Sequence, residues 1–233
     1  MPDRHELPPS CDVAIPIPYD VTLPRQTVEM TEDFALPSAA FDGRAIRAID
    51  LRPGVAAVVR RAIIYIKPSR ANPAGQLLPE PVLAIWSPDR AVVSSHNDVA
   101  FALPKGSEVV ARITYRKTWK YENTEITDRS TVGVYFAASP HAREILAVPV
   151  SSDAVIADDV QAVAIRSDVE GQPSDVAVTA VLPGGASLSM IRFIADRQWP
   201  QRFWYARAVA LPRGTRLESS VSGITLDVVR TEK

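Results

Sequence analysis

A single cysteine, Cys11, in 233 residues excludes an internal disulfide and any cysteine-cluster metal site. Histidine is nearly as scarce. His5, His96 and His141 are the full set, and no two stand at the spacing of an H-x-H or H-E-x-x-H pair, so the usual zinc and copper donor sets are hard to assemble. Glycine is sparse too, and no G-x-G-x-x-G fingerprint of a flavin or nicotinamide site occurs. No run of about 18 apolar residues exists to span a bilayer. The opening stretch, MPDRHELPPSCDVAIPIPYD, lacks the roughly 7–15-residue apolar core of a secretory leader. Neither sign of charge is in excess. The 26 Lys plus Arg against 27 Asp plus Glu leave a net charge of -1, which argues against general attraction to nucleic acid and leaves room only for a local basic patch.

What the chain does have is β-branched residues and prolines. Twenty-seven Val and 16 Ile, with 20 Pro against 10 Gly, point to many short strands divided by proline-containing turns. Apolar runs recur at 45–49, 55–66, 82–86, 99–103, 109–115, 131–137, 145–150, 160–165, 174–182, 187–194, 202–211 and 216–221. Within 108–116, Val109, Ala111, Ile113 and Tyr115 share one face of a strand, while Val110, Arg112, Thr114 and Arg116 share the other. No segment keeps a 3.6-residue period over three turns, so a long helix is not expected.

The fold class expected is all-β: two jelly-roll-like antiparallel β-sandwich lobes in tandem. A boundary falls in ASPHAREI, 138–145, giving a first lobe over 31–140 and a second over 141–233. Residues 1–30, with LPPS, IPIPYD and TLPRQ, read as an extended Pro-rich N-terminal arm lying on the body or on a partner.

Four segments in order carry a resemblance. They are VEMTEDFALP with AIRAIDLRPGVAAVVRRAIIYIK, then FALPKGSEVVARITYRK with DRSTVGVYFA, then VLPGG, and finally RQWPQRFWYARAVALPRGTRLE. Together, over about 28–220, they resemble the copper type II, ascorbate-dependent monooxygenase family, the group containing peptidylglycine α-hydroxylating monooxygenase. That resemblance implies two jelly-roll-like lobes, each with one copper. It also implies that the ligands are lost. Arg60 and Arg61 stand where the family has its adjacent histidine pair, and Thr114 stands at its third histidine. Arg166 and Asp168 fall where the second lobe has H-x-H, and no methionine follows Met190 to serve as the later ligand. A guanidinium has no lone pair to donate to copper and repels it. No copper, other metal or organic cofactor is therefore expected, and the monooxygenase activity is not.

Other constellations are weaker. His96 and His141 with carboxylates could rebuild a relocated metal site for a monooxygenase or hydrolase, and His96, Asp98 and Ser94 or Ser95 have the residue types of a hydrolytic triad but no nucleophile elbow. Arg60 and Arg61, adjacent in a strand, are expected on opposite faces, one of them as half of a buried ion pair or as the ligand of an anion- or small-molecule-binding module. Trp199, Phe203, Trp204 and Tyr205 are expected in the second core, with Arg202 and Arg207 on the polar side. Arg116, Lys117, Trp119, Lys120 and Tyr121 interleave cations with aromatics, the residue types of interface hot spots, and are the expected partner-binding loop.

The expectation is a non-catalytic accessory subunit that binds other protein subunits and is extrinsic to a larger membrane-bound complex, electron-transfer or photosynthetic. It binds no nucleic acid and has no transmembrane segment of its own. The resemblance places it at an extracytoplasmic, periplasmic membrane surface; the absence of a leader makes the cytoplasm the alternative.

Overall fold

The computed structural model describes residues 11–41, 43–67, 81–88, 98–139, 141–151, 154–167, 173–196 and 198–231. These fall into two compact units that meet in sequence at 140/141. Each is an antiparallel β-sandwich, and among the described residues there is no α-helix, only two short 3-10 turns. No helix among them is long and apolar enough to cross a membrane.

The first unit contains β1 (Val13–Pro16), β2 (Val21–Leu23), β3 (Glu29–Leu36), β4 (Ile46–Arg52), β5 (Val59–Ile66), β6 (Val82–Trp86), β7 (Val99–Ala100), β8 (Val109–Arg116), β9 (Ile126–Asp128) and β10 (Thr131–Phe136). One sheet runs β3-β8-β5-β6, another runs β1-β10-β4, and β2 pairs with β9. Alternation decides what each strand buries. Val109, Ala111, Ile113 and Tyr115 of β8 are fully buried, and Ile15, Val132 and Leu51 form one apolar row across β1, β10 and β4. The other face of β8 is less polar than the sequence suggests, since Val110 and Thr114 are also buried.

Within the Pro-rich segment 1–30, the extended stretches Val13–Pro16 and Val21–Leu23 are strands that pair with β10 and β9 of the body. Val13 pairs with Val134 and Val21 with Asp128, because Ile15, Ile17, Val21 and Leu23 give it its own buried alternation between the prolines. Gly133 makes room for that entry: a Cβ there would meet the Cβ of Cys11 at 3.3 Å.

The chain at Gly54–Val55 and at Asp128–Ser130 converges on one buried carboxylate. Asp128, 1% exposed, accepts the Val55 N–H at 2.6 Å, the Ser130 hydroxyl at 2.8 Å and the Tyr115 hydroxyl at 3.4 Å. Burial, reinforced by that carboxylate, pushes the Tyr115 phenol well above its ordinary value, so it stays a neutral donor. Gly54 lies against the Arg129 backbone, where an added Cβ would sit 2.8 Å from the Arg129 carbonyl oxygen. Gly54→Ala is therefore expected to destabilise the protein by roughly 1–3 kcal/mol, since backbone rather than a flexible side chain must yield; chemical denaturation measures it, and a loss near zero would contradict the close approach.

The second unit contains β11 (Arg143–Glu144), β12 (Leu146–Val150), β13 (Val160–Ser167), β14 (Ser174–Val181), β15 (Ser187–Ala195), β16 (Arg202–Leu211), β17 (Arg216–Ser219) and β18 (Ile224–Arg230). Sheets β12-β18-β13-β16 and β15-β14-β17 enclose one core. Val160, Ala162, Ile165, Leu211, Leu226 and Val228 come from the first sheet, and Val176, Val178, Ala180, Met190 and Leu217 from the second. Of the aromatic run, Phe203 and Tyr205 pack on this core, as expected, with Phe193 at 4.8 Å from Phe203. Trp204, one residue out of phase, takes the opposite face beside Arg202.

Candidate functional site

The outer face of β3, β8 and β5 gathers the residues expected at the first metal position. Val59 pairs with Tyr115 and Arg61 with Thr114, so two steps along β5 match one along β8 and Arg60 is the extra residue of a β-bulge. The strict alternation that would oppose Arg60 to Arg61 is broken there, and Arg61 takes the Thr114 face. Its Nε donates to Thr114 Oγ1 at 3.3 Å, and Thr114 Oγ1 lies 3.0 Å from Thr31 Oγ1. Thr114 is 4% exposed, so its hydroxyl is committed to these two neighbours.

The next pair along the face is equally engaged. Arg112 holds Asp33 bidentately, Nε to Oδ1 at 2.7 Å and Nη2 to Oδ2 at 2.8 Å, and the Tyr65 hydroxyl donates to Asp33 Oδ2 at 3.1 Å. The hydrogen bonds from Arg112 hold the Asp33 carboxyl below its ordinary range, against a smaller opposing effect of burial. A lowered carboxylate contributes stability above its unfolded value near pH 3.9 and loses it as pH falls through the folded value. Asp33 is 42% exposed, so the pair is worth only about 0.2–1 kcal/mol after solvent screening. Asp33→Asn should be less stable than wild type by that amount at pH 7, and the gap should close in strong acid; urea midpoints at pH 7 and at acid pH test both halves.

The second expected metal position holds a buried charge cluster. Arg166 is 1% exposed and is the largest fully buried side chain described. Arg166 on β13 stands opposite Arg202 on β16 and Thr225 on β18. Asp227, two residues along β18, lies between the guanidiniums: Oδ1 is 3.6 Å from Arg166 Nε and Oδ2 is 2.8 Å from Arg202 Nε. Alternation puts this cluster on the face of the sheet opposite Ile165 and Leu226. Arg202 thus lies on the face away from the core, but its side chain is only 5% exposed there, beside Arg166 and the carboxylate that both approach; Arg207 is exposed. Asp227 is the residue sequence reasoning missed. The one signal was an acidic residue in the middle of the apolar stretch ITLDVV.

Asp168, His96, Ser94 and Ser95 lie outside the described residues. His141 is exposed, and among the described residues no group of three or more His, Cys, Asp or Glu could hold a metal ion.

The loop expected to bind a partner is split by the structure. Trp119–Tyr121 forms a 3-10 turn after β8, with Trp119 84% exposed and Lys120 Nζ 5.7 Å from the centre of the Tyr121 ring. Arg116 is exposed and 3.8 Å from Glu29. Lys117 is the exception, at 6% exposed. Its ammonium donates to the carbonyls of Pro24 and Thr124, the latter at 2.7 Å, and lies 3.4 Å from that of Arg25. The backbone turns it inward because carbonyls from two loops converge there, and three donors are what an ammonium offers. Lys117 is therefore not a surface contact as expected. Asn123, at φ 60°, closes the turn in the left-handed region that Asn tolerates.

No protein-family model matches the chain, and no curated protein matches it.

Proposed function

We propose that this protein is a non-catalytic binding subunit: a pair of β-sandwiches resembling the copper monooxygenases in sequence pattern, which docks on other protein subunits of a larger membrane-bound assembly through the turn at Trp119. One observation carries the non-catalytic part. At the first position where the resemblance calls for copper ligands stand a guanidinium and a hydroxyl bound to one another, Arg61 to Thr114. The second has a guanidinium set against Asp227. Neither Arg nor Thr supplies the neutral nitrogen or thioether donors that copper requires. What such a scaffold still offers is shape and surface, and the most exposed large apolar side chain described is Trp119.

The test is direct. Purified protein is incubated with Cu(II), or with Cu(I) under reductant, passed through a desalting column and analysed for bound metal. Copper well below one atom per chain is expected. Copper near one per chain, lost when His141 or His96 is replaced, would mean that a relocated site has been built and would overturn the non-catalytic reading.

A further inference from the structure

Lys117 joins two loops that lie far apart in sequence. Its ammonium binds carbonyls of Pro24 and Arg25 in the β2–β3 turn and of Thr124 in the β8–β9 connection, and its own N–H donates to the Val28 carbonyl at 2.9 Å. One buried cation thus clamps both loops from beneath. Each displays an apolar side chain to solvent: Val28 is 59% exposed and Trp119 84%. The exposed charges beside them in the sequence balance, with Arg25, Arg116 and Lys120 against Glu29, Glu122 and Glu125, and Arg116 lies 3.8 Å from Glu29. A polyanion such as nucleic acid or an anionic lipid surface is drawn by cations and repelled by carboxylates at the same place. Exposed apolar side chains flanked in sequence by charges of both signs are instead the residue types of a protein–protein contact, with the tryptophan as anchor.

We infer that the docking surface is a two-loop surface, Val28 with Trp119, held in shape by Lys117, and that it takes a protein partner offering an apolar slot rimmed by charges of both signs. This rests on the docking reading above and sharpens it. Lys117 becomes a positioning residue: it touches no partner, and holding the loops before contact saves the ordering cost that a mobile epitope would incur on binding.

The experiment places the photo-crosslinker p-benzoylphenylalanine at position 28, at position 119 or, as a control on the other unit, at position 207, and irradiates the source cells expressing each chain. The same polypeptide adduct is expected from 28 and 119 and none from 207. Adding Lys117→Met should lower both adducts about tenfold, the effect of losing charge-assisted hydrogen bonds that organise the site. A merely structural Lys117 would lower the melting temperature and leave the adducts intact well below it. Different adducts from 28 and 119, a lipid adduct, a nucleic-acid adduct, an adduct of two copies of this chain, or adducts indifferent to Lys117→Met would each overturn the inference. A partner that co-purifies while positions 28 and 119 give no adduct sinks this surface and leaves the docking reading standing. No co-purifying partner and no adduct at any position sinks the docking reading as well.

Discussion

Replacing Asp227 by alanine should destabilise the second unit by roughly 3–5 kcal/mol, the loss typical when one member of a buried ion cluster is removed. The reason lies in the geometry. Two guanidiniums, Arg166 and Arg202, have side chains 1% and 5% exposed, and the Asp227 carboxylate reaches both at 3.6 and 2.8 Å. Deleting it leaves two buried cations with one anion fewer in a region where bulk water does not screen them. Asp227→Asn separates charge from volume. It keeps the shape of the side chain and an oxygen acceptor, so if charge dominates it should lose most of what alanine loses. Denaturant unfolding followed by circular dichroism measures both variants, and a cost below about 1 kcal/mol for Asp227→Ala, the range of a surface pair, would contradict the buried cluster.

Trp119→Ala should do the reverse: bind badly and fold well. An 84% exposed side chain contributes little to the folded state, so stability should stay within about 0.5 kcal/mol of wild type. As the anchor of a docking surface, its truncation should weaken partner binding by about 2 kcal/mol, or roughly 30-fold. Titration of the isolated partner by calorimetry reads the affinity, and thermal unfolding reads the stability. Unchanged affinity would remove Trp119 from the interface.

Much of the fold was legible in period-2 patterning. The 109–115 run is β8 with the inward face assigned from alternation, and the runs at 160–165 and 174–182 are β13 and β14. The apolar run 55–66 is longer than its strand: β5 starts at Val59, because the Arg-Pro-Gly turn carries Val55 to the Asp128 carboxylate. The candidate site was legible in its residue types but not in its partners. Arg60 becomes a bulge residue only because β8 registers on β5 with a one-residue slip, a property of the pair and not of either strand. Asp227 meets Arg166 across 61 positions of chain, through the sheet order β18-β13-β16, which no local pattern encodes. Lys117 looks like one more surface cation in a run of basic and aromatic residues. Its burial is set by the convergence of the Pro24 and Thr124 carbonyls from two loops.

The role proposed for this scaffold is to bind other proteins rather than to carry out copper chemistry. Native purification from the source cells, with co-purifying proteins identified and copper counted on the same sample, tests it most directly. Stoichiometric protein partners, lost from the Trp119→Ala chain, and no stoichiometric copper are expected. Copper near one per chain on a protein that purifies alone would contradict it.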